Sequence, residues 1–120
     1  MTVAEQLNKA IVAHARWKAT LRRGVDEGGG DLLASPDLGR ADRCEFGKWL
    51  QTTPGLSKQP HYQKVRDLHA QFHKEVQHVA DLVHQGRKAE AADALSVKGA
   101  YTQVSAALTL EITAWRSEVS

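Results

Sequence analysis

The sequence has a single cysteine, three prolines and no long apolar run. The lone Cys44 excludes an internal disulfide, and it suits a reducing compartment better than an oxidising one. No apolar stretch approaches the roughly 20 residues that a membrane-spanning helix needs. The first ten residues also lack the basic start and apolar centre of a signal peptide. We therefore expect a cytoplasmic protein without membrane insertion.

An excess of charge of one sign is also missing. The formal net charge is +2 with histidine neutral, which is too small to indicate a nucleic-acid-binding protein. The densest basic run, RWKATLRR at residues 16–23, lies where we expect the C-terminal end of a helix, and cations interact favourably with the helix dipole there. We interpret this run as a solvated face, with an anionic partner as the alternative.

The pattern of apolar residues predicts helices throughout the chain. Apolar side chains recur at steps of three and four, as in amphipathic helices, and no strand-like alternation or repeat is present. We expect a glycine-rich stretch, GVDEGGGD, to end the first helix, and a loop to follow at residues 32–41. The predicted helices are residues 2–23, a short helix between about Asp42 and TTPG (52–55), residues 60–84, and a region from about Lys88 that Gly99 divides in two.

These helices predict the fold class. The 120 residues fit one domain, 1–120, which buries roughly two-thirds of its unfolded surface. Helices of this length joined by modest connections pack as bundles. We predict an all-α fold: an antiparallel four-helix-bundle-like domain with one or two additional short helices, the cysteine lying on a short helix. Asp42, three residues before Glu45, suits a capped start of that helix and places Cys44 in its first turn.

Three histidines face the expected interior of this bundle. His69 and His73 are four residues apart, so they project from one face of a helix, and they flank Phe72 in its apolar stripe. His14 occupies a position in the apolar stripe of the first helix. Each could be an ordinary core histidine with a hydrogen-bond partner. Three together are harder to explain in this way, because apolar neighbours offer few partners to their ring nitrogens.

A zinc ion would satisfy these nitrogens. Structural zinc takes four nitrogen or sulfur ligands in a tetrahedron, and Cys44 is the available fourth donor. The N-terminal end of a helix favours a thiolate there, and the missing side chain of Gly47 permits close approach to the bundle. We interpret the remaining histidines as surface or capping residues because they lie off the stripe or at helix ends: His61, His78 and His84.

Three motifs resemble a known family. HARW (14–17), CEFGKWL (44–50) and HAQFH (69–73) are similar to the pattern H-x-x-W, C-x-[FL]-G-x-W-[LY] and H-x-x-x-H of the chemoreceptor zinc-binding domain, abbreviated CZB. LNKAI near the N-terminus and GAYTQVSAAL near the C-terminus also look like family sequence. The resemblance implies zinc as cofactor and the following residues at the site: the ligands His14, Cys44, His69 and His73, and the packing residues Trp17, Phe46, Gly47 and Trp49.

The resemblance also implies a function. Domains of this family are helical bundles, often homodimeric, attached to bacterial signalling proteins such as chemoreceptors of chemotaxis and diguanylate cyclases of cyclic-di-GMP signalling. They sense zinc, or oxidants such as hypochlorous acid, through the zinc-bound cysteine, here Cys44. We therefore expect a non-enzymatic sensory module for signal transduction and redox sensing. The chain has no room for an output domain, so we expect either a stand-alone domain acting in trans or an excised piece.

Other functions remain open from the residues alone. A zinc-dependent hydrolase would need a glutamate after the first histidine of H-x-x-x-H as general base, and Ala70 stands there. A di-iron bundle would need several inward carboxylates in Glu-x-x-His pairs, and a haem site would leave Cys44 without a role. A metal-free helical interaction bundle is the simplest alternative.

Overall fold

The structure, a computed structural model, describes residues 2–29, 33–34 and 37–119. Within these residues the chain forms five α-helices and no strand, which confirms the all-α prediction. The helices are α1 (Val3–Asp26), α2 (Glu45–Thr52), α3 (Tyr62–His84), α4 (Lys88–Ala94) and α5 (Ala100–Val119), with 3₁₀ turns at Ala41–Arg43 and Leu56–Lys58.

The three long helices, α1, α3 and α5, form the body of the bundle. Arg116, near the end of α5, donates a hydrogen bond to Asn8, near the start of α1 (Nη1 to Oδ1, 2.6 Å), so these two helices are antiparallel. His61, just before α3, lies 3.1 Å from Glu118 at the end of α5, so this pair is antiparallel as well. It follows that α1 and α3 run in the same direction. The segment between them, which contains α2, returns along the bundle.

The start of α1 is fixed by a reciprocal cap. The Thr2 hydroxyl accepts a hydrogen bond from the main-chain N–H of Glu5 (3.1 Å), and the Glu5 carboxylate accepts one from the N–H of Thr2 (3.2 Å). Two N–H groups that a helix start leaves unpaired are thereby satisfied. The helix begins where the sequence predicts.

The end of α1 lies further along the chain than predicted. We expected the helix to stop at Arg23 because a glycine follows, but it continues to Asp26. Gly24 is buried beneath Leu33, and a Cβ added to Gly24 would lie 2.7 Å from that side chain. The absence of a side chain at Gly24 thus lets Leu33 pack closely against the helix. The loop expected at residues 32–41 lies partly outside the described residues.

The predicted cap of α2 was wrong. Asp42 lies in the preceding 3₁₀ turn, where Arg40 donates to both of its carboxylate oxygens (3.0 and 2.8 Å). Cys44 is the N-cap residue of α2, and its side chain makes no cap hydrogen bond. The cysteine therefore precedes the first turn of the short helix. The predicted division at Gly99 is confirmed, since α4 ends at Ala94 and α5 begins just after this glycine.

The apolar stripes read from the sequence form the core. Trp115 of α5 is fully buried, and its ring N–H donates a hydrogen bond to the side-chain oxygen of Gln59 (2.5 Å). Truncating a buried aromatic ring of this size costs about 3–5 kcal/mol. The other stripe residues of α3 and α5 that are buried are Val65, Phe72, Val76, Val79, Val83, Tyr101, Leu108 and Ile112.

The exposed apolar side chains of the described residues are few. Among the described residues, the large apolar side chains that are well exposed are Val12, Val97 and Leu110. No helix in the described ranges has the length and the apolar character needed to cross a bilayer. Scattered apolar residues of this kind are normal on a protein surface.

His61 is the N-cap residue of α3, as the sequence suggested, but its side chain makes no cap hydrogen bond and pairs with α5 instead. Its ring is 18% exposed and lies between two carboxylates of α5: Nδ1 contacts Glu111, and Nε2 lies 3.1 Å from Glu118. Carboxylates only accept hydrogen bonds, so both ring nitrogens carry protons and the ring is an imidazolium. The hydrogen bond to Glu111 and then that to Glu118 raise the pKa of His61. His78 and His84 are exposed, as predicted.

This ion pair predicts a pH-dependent contribution to stability. Because the pKa of His61 is higher in the folded protein than in the unfolded chain, its contribution is complete below about pH 6.5 and is lost as pH rises through the folded pKa. We expect His61→Gln to lower the free energy of unfolding more at about pH 6 than at about pH 8.5, as measured by urea denaturation. The exposed His84→Gln is the matched control, and an equal loss at both pH values would contradict the assignment.

Candidate metal centre

Four side chains that the sequence pointed to lie together in the structure. His14 comes from α1, His69 and His73 from α3, and Cys44 from the residue before α2. One nitrogen or sulfur atom from each residue lies within 4.8 Å of the other three. The histidines are at most 3% exposed, and Cys44 is half-buried.

Main-chain carbonyl groups orient two of the imidazole rings. His14 donates from Nδ1 to the carbonyl of Ala10, one helical turn earlier (2.7 Å). His73 donates from Nδ1 to the carbonyl of Leu38 in the loop before α2 (2.9 Å). A carbonyl oxygen only accepts, so Nδ1 carries the proton and Nε2 keeps its lone pair. Metal-binding histidines are commonly fixed in this way.

The free atoms lie at separations close to those of a zinc tetrahedron. Nε2 of His69 and Nε2 of His73 are 3.2 Å apart, and Sγ of Cys44 is 3.9 Å from Nε2 of His14. With zinc–nitrogen and zinc–sulfur bonds of about 2.1 and 2.3 Å, a tetrahedron separates two nitrogens by about 3.4 Å and nitrogen from sulfur by about 3.6 Å. These two separations differ from the tetrahedral values by a few tenths of an ångström, and the other donor pairs lie within 4.8 Å, so the four side chains would draw together around the ion.

Burial keeps these imidazoles neutral. It lowers the pKa of His14 to about 4 and that of His69 to about 2, and it also lowers the pKa of His73. In each case the cause is the removal of the ring from water, which disfavours the charged form. Neutral imidazole is the form in which histidine binds a metal, and Nε2 is free in two of the three rings, His14 and His73.

A comparison with known families identifies the chain. The sequence profile of the chemoreceptor zinc-binding domain, CZB, matches residues 14–80, which is more than half of the chain. The chain belongs to the chemoreceptor zinc-binding domain family. The matched segment begins at His14 and contains the other three candidate ligands. No curated protein and no solved structure matches the chain.

Aromatic rings of this CZB domain enclose the cluster. Phe46 of α2 meets His14 and His69 edge to face, with ring centroids 5.7 and 5.1 Å apart. Phe72 lies 5.0 Å from the His14 ring, and Trp49 stacks on Phe46 at 5.7 Å. Two of the expected packing residues, Phe46 and Trp49, thus form the side of the site that α2 covers. Low polarity around a metal site strengthens its electrostatic interactions.

Trp17, a third expected packing residue, lies at the mouth of the site. It is half-buried and lines a cavity of about 260 Å³ together with Cys44 and His73. Cys44 therefore lies beside open space on this side, and it is more exposed than the three imidazoles.

The sequence missed the atoms that orient the rings. The carbonyl of Ala10 lies one helical turn before His14, so the spacing along the sequence is a weak indication of that contact. The carbonyl of Leu38 is 35 residues from His73 along the chain, and no sequence pattern indicates it. The sequence patterns also did not indicate the pairing of His61 with Glu111 of α5.

Gly47, the fourth packing residue, sets how closely α2 approaches its neighbours. A Cβ at this position would lie 1.8 Å from the carbonyl oxygen of Ala41 and 3.3 Å from Cε1 of His69. The first distance is far inside any tolerated contact, and the obstacle is main chain, which has little freedom to move. The 3₁₀ turn and α2 therefore pack as observed only with glycine here.

We expect Gly47→Ala to lower the free energy of unfolding by about 1–3 kcal/mol, as overpacking does. The same substitution should weaken metal binding, because Cys44 moves with α2. Chemical denaturation and chelator competition measure the two effects. Lys48→Ala, on the exposed side of the same helix, is the matched control, and equal behaviour of the two variants would contradict the close approach.

Proposed function

We propose that this chain is a non-catalytic, zinc-binding regulatory module of bacterial signalling. The convergence of three neutral imidazoles and one thiol on a common centre carries the proposal. Zinc would be held by Nε2 of His14, His69 and His73 and by Sγ of Cys44, and it would keep the sulfur as a thiolate at neutral pH. Membership of the CZB family supports the choice of metal.

The donor set favours zinc over the alternatives. Three nitrogens and one sulfur in a tetrahedral arrangement are typical of structural zinc sites, whereas di-iron bundles need several inward carboxylates. Among the described residues this cluster is the one group of His, Cys, Asp and Glu that could hold a metal ion. Four donors leave no open position for substrate, and Ala70 stands where a zinc hydrolase of this motif needs its general base.

Metal analysis tests this function. We expect the protein purified without added metal to carry about one zinc per chain. His69→Ala and His73→Ala should each weaken zinc binding by about 100-fold or more, since even the loss of an outer partner costs 10–100-fold. Competition with a chromogenic chelator measures the affinities. His78→Ala and His84→Ala are matched controls on the same helix and should bind zinc like the unaltered chain.

Three results would contradict the zinc module. Iron in place of zinc would favour a different metal protein. A metal-free protein that stays folded would favour a plain interaction bundle. Equal losses of affinity across the four histidine variants would mean that the ligands are wrongly assigned.

We further propose that Cys44 senses oxidants. Cys44 lines the cavity of about 260 Å³ beside Trp17, together with Arg40 and Arg43. Thiolates are the form of cysteine that oxidants attack. Hypochlorous acid would transfer its OH group to the sulfur, chloride would leave, and a sulfenic acid would form. With no second cysteine in the chain, no internal disulfide can follow, so further oxidation or a mixed disulfide are the next products.

The consequence of this oxidation would be local. Cys44 stands on a short connecting segment, whereas the three histidines lie on long, packed helices. Loss of the sulfur ligand would leave zinc on the three imidazoles and free α2 to move, because short elements with few contacts open at low cost.

A stoichiometric oxidation experiment tests the sensor. We expect one equivalent of hypochlorous acid to oxidise Cys44 first, and to speed amide hydrogen exchange at residues 40–52 while α1 and α3 stay protected. Mass spectrometry reports both products and exchange. Cys44→Ala, which lacks the reacting sulfur, is the control and should show no oxidant-dependent change.

Earlier oxidation of the tryptophans or of Met1 would defeat the sensor proposal. So would an oxidised protein that keeps both its zinc affinity and its exchange pattern at residues 40–52. In that case the zinc site only holds the bundle together.

The partners of the module are proposals from family membership. A homodimer, and a chemoreceptor or diguanylate cyclase as the protein that the module regulates, are consistent with the family. The cytoplasmic location stays a prediction from the sequence.

A further inference from the structure

The three imidazoles differ in what they do with their second nitrogen. His14 and His73 each donate their Nδ1–H to a main-chain carbonyl. His69 makes its one polar contact through Nε2, to His73, and in the part of the chain that the structure describes its Nδ1 has no hydrogen-bond partner. His69 is 1% exposed. If Nε2 holds the metal, the proton must lie on Nδ1, and a buried N–H group requires an acceptor.

His69 lines an open groove of about 440 Å³ between α3 and the 3₁₀ turn that precedes α2. His69 is one of the residues in the wall of this groove, so the groove lies beside its ring. Gly47 lies in the wall of the groove, next to Cε1 of His69. An acceptor of a few atoms has room to reach the nitrogen from this side.

The charges of the groove favour an anion. Three cations line it, Arg40, Arg66 and Lys74, against two acids, Asp42 and Asp67. Asp42 is already held by two hydrogen bonds from Arg40. Asp67 accepts from Gln63 (3.0 and 3.2 Å) and lies 3.7 Å from Arg66. Lys74 forms no ion pair within the described ranges, so the groove keeps one positive charge without a partner.

We propose that this groove binds a small carboxylate that accepts a hydrogen bond from Nδ1–H of His69 and supplies its missing outer partner. A carboxylate is a common acceptor for a metal-binding imidazole, and arginine side chains such as Arg66 match its two oxygens. Such a partner makes the imidazole a stronger ligand, so carboxylate and zinc each tighten the binding of the other by the same factor. The inference rests on the proposed zinc site.

Zinc affinity in the presence of acetate tests the inference. We expect acetate, compared with its neutral isostere acetamide at constant ionic strength, to tighten zinc binding by about tenfold, the lower end of outer-partner effects. The double variant Arg66→Gln, Lys74→Gln should lose this effect and keep its affinity in acetamide. The double variant Lys18→Gln, Arg22→Gln, two exposed changes outside the groove, is the charge-matched control. Any binding of zinc by acetate in solution cancels, because it is common to all three proteins.

A second measurement locates the carboxylate at the ring. Nitrogen NMR of the imidazoles, with the resonances of His69 identified by their absence in His69→Gln, should show Nδ1 of His69 shifting on addition of acetate and not of acetamide. The shift of Nδ1 is expected in the zinc-loaded chain, because without zinc Nε2 of His69 donates to the bare Nε2 of His73 and Nδ1 carries no proton. In the zinc-free chain the side-chain resonances of Arg66 and Lys74 report acetate binding instead. The zinc-loaded double variant Arg66→Gln, Lys74→Gln should show no shift of Nδ1.

The possible failures are distinguishable. A chain that carries no zinc defeats the proposed function, while acetate-dependent shifts of the Arg66 and Lys74 side chains in the zinc-free protein still decide whether the groove binds a carboxylate. If acetate changes neither the zinc affinity nor the His69 resonances of the zinc-loaded chain, the carboxylate proposal is wrong and the zinc site stands. Water is then the acceptor for Nδ1–H of His69. An equal effect of acetate on the double variant of Arg66 and Lys74 would also contradict the proposal that the carboxylate binds in this groove.

Discussion

Three neutral imidazole rings buried in an apolar core are the constraint on which this structure depends. An unpaired polar group in such a core costs about 1–3 kcal/mol, so each ring nitrogen needs a partner. His14 and His73 satisfy Nδ1 with main-chain carbonyls, which turns their Nε2 atoms toward His69 and Cys44. A metal ion satisfies several such atoms at once. The polar centre of the bundle and the proposed zinc site are therefore the same place.

The arrangement of helices gives the four donors unequal surroundings. Three of them lie on α1 and α3, long helices that run in the same direction and pack along the core. Cys44 lies on the returning segment, held near the others by the close approach of Gly47 to the carbonyl of Ala41. The imidazoles are thus placed by the core, and the sulfur by one short helix beside a cavity. The proposed response of the sulfur, with the three imidazoles staying bound, rests on this difference.

Aromatic contacts connect the short helix to the far end of the bundle. Trp49 stacks on Phe46 at the site and also lies 6.2 Å from the Trp115 ring of α5. Trp115 in turn donates to Gln59, which precedes α3. A displacement of α2 would therefore disturb the packing between the start of α3 and the end of α5. His61 joins these same two ends by its ion pairs, so the far end is secured independently of the metal.

The sequence by itself determined the helices, the break at Gly99 and the shared face of His69 and His73, because helical periodicity is a local property. It also pointed to Cys44 as the fourth donor, through the chemistry of zinc and the family motif. Local rules failed where tertiary contacts outweighed them: Gly24 stays helical beneath Leu33. Only the tertiary structure decided which atoms meet. The carbonyl of Leu38 that orients His73 and the carboxylate of Glu111 that pairs with His61 are 35 and 50 residues away from their partners along the chain. Such contacts are set by how the helices pack and not by any spacing within one helix.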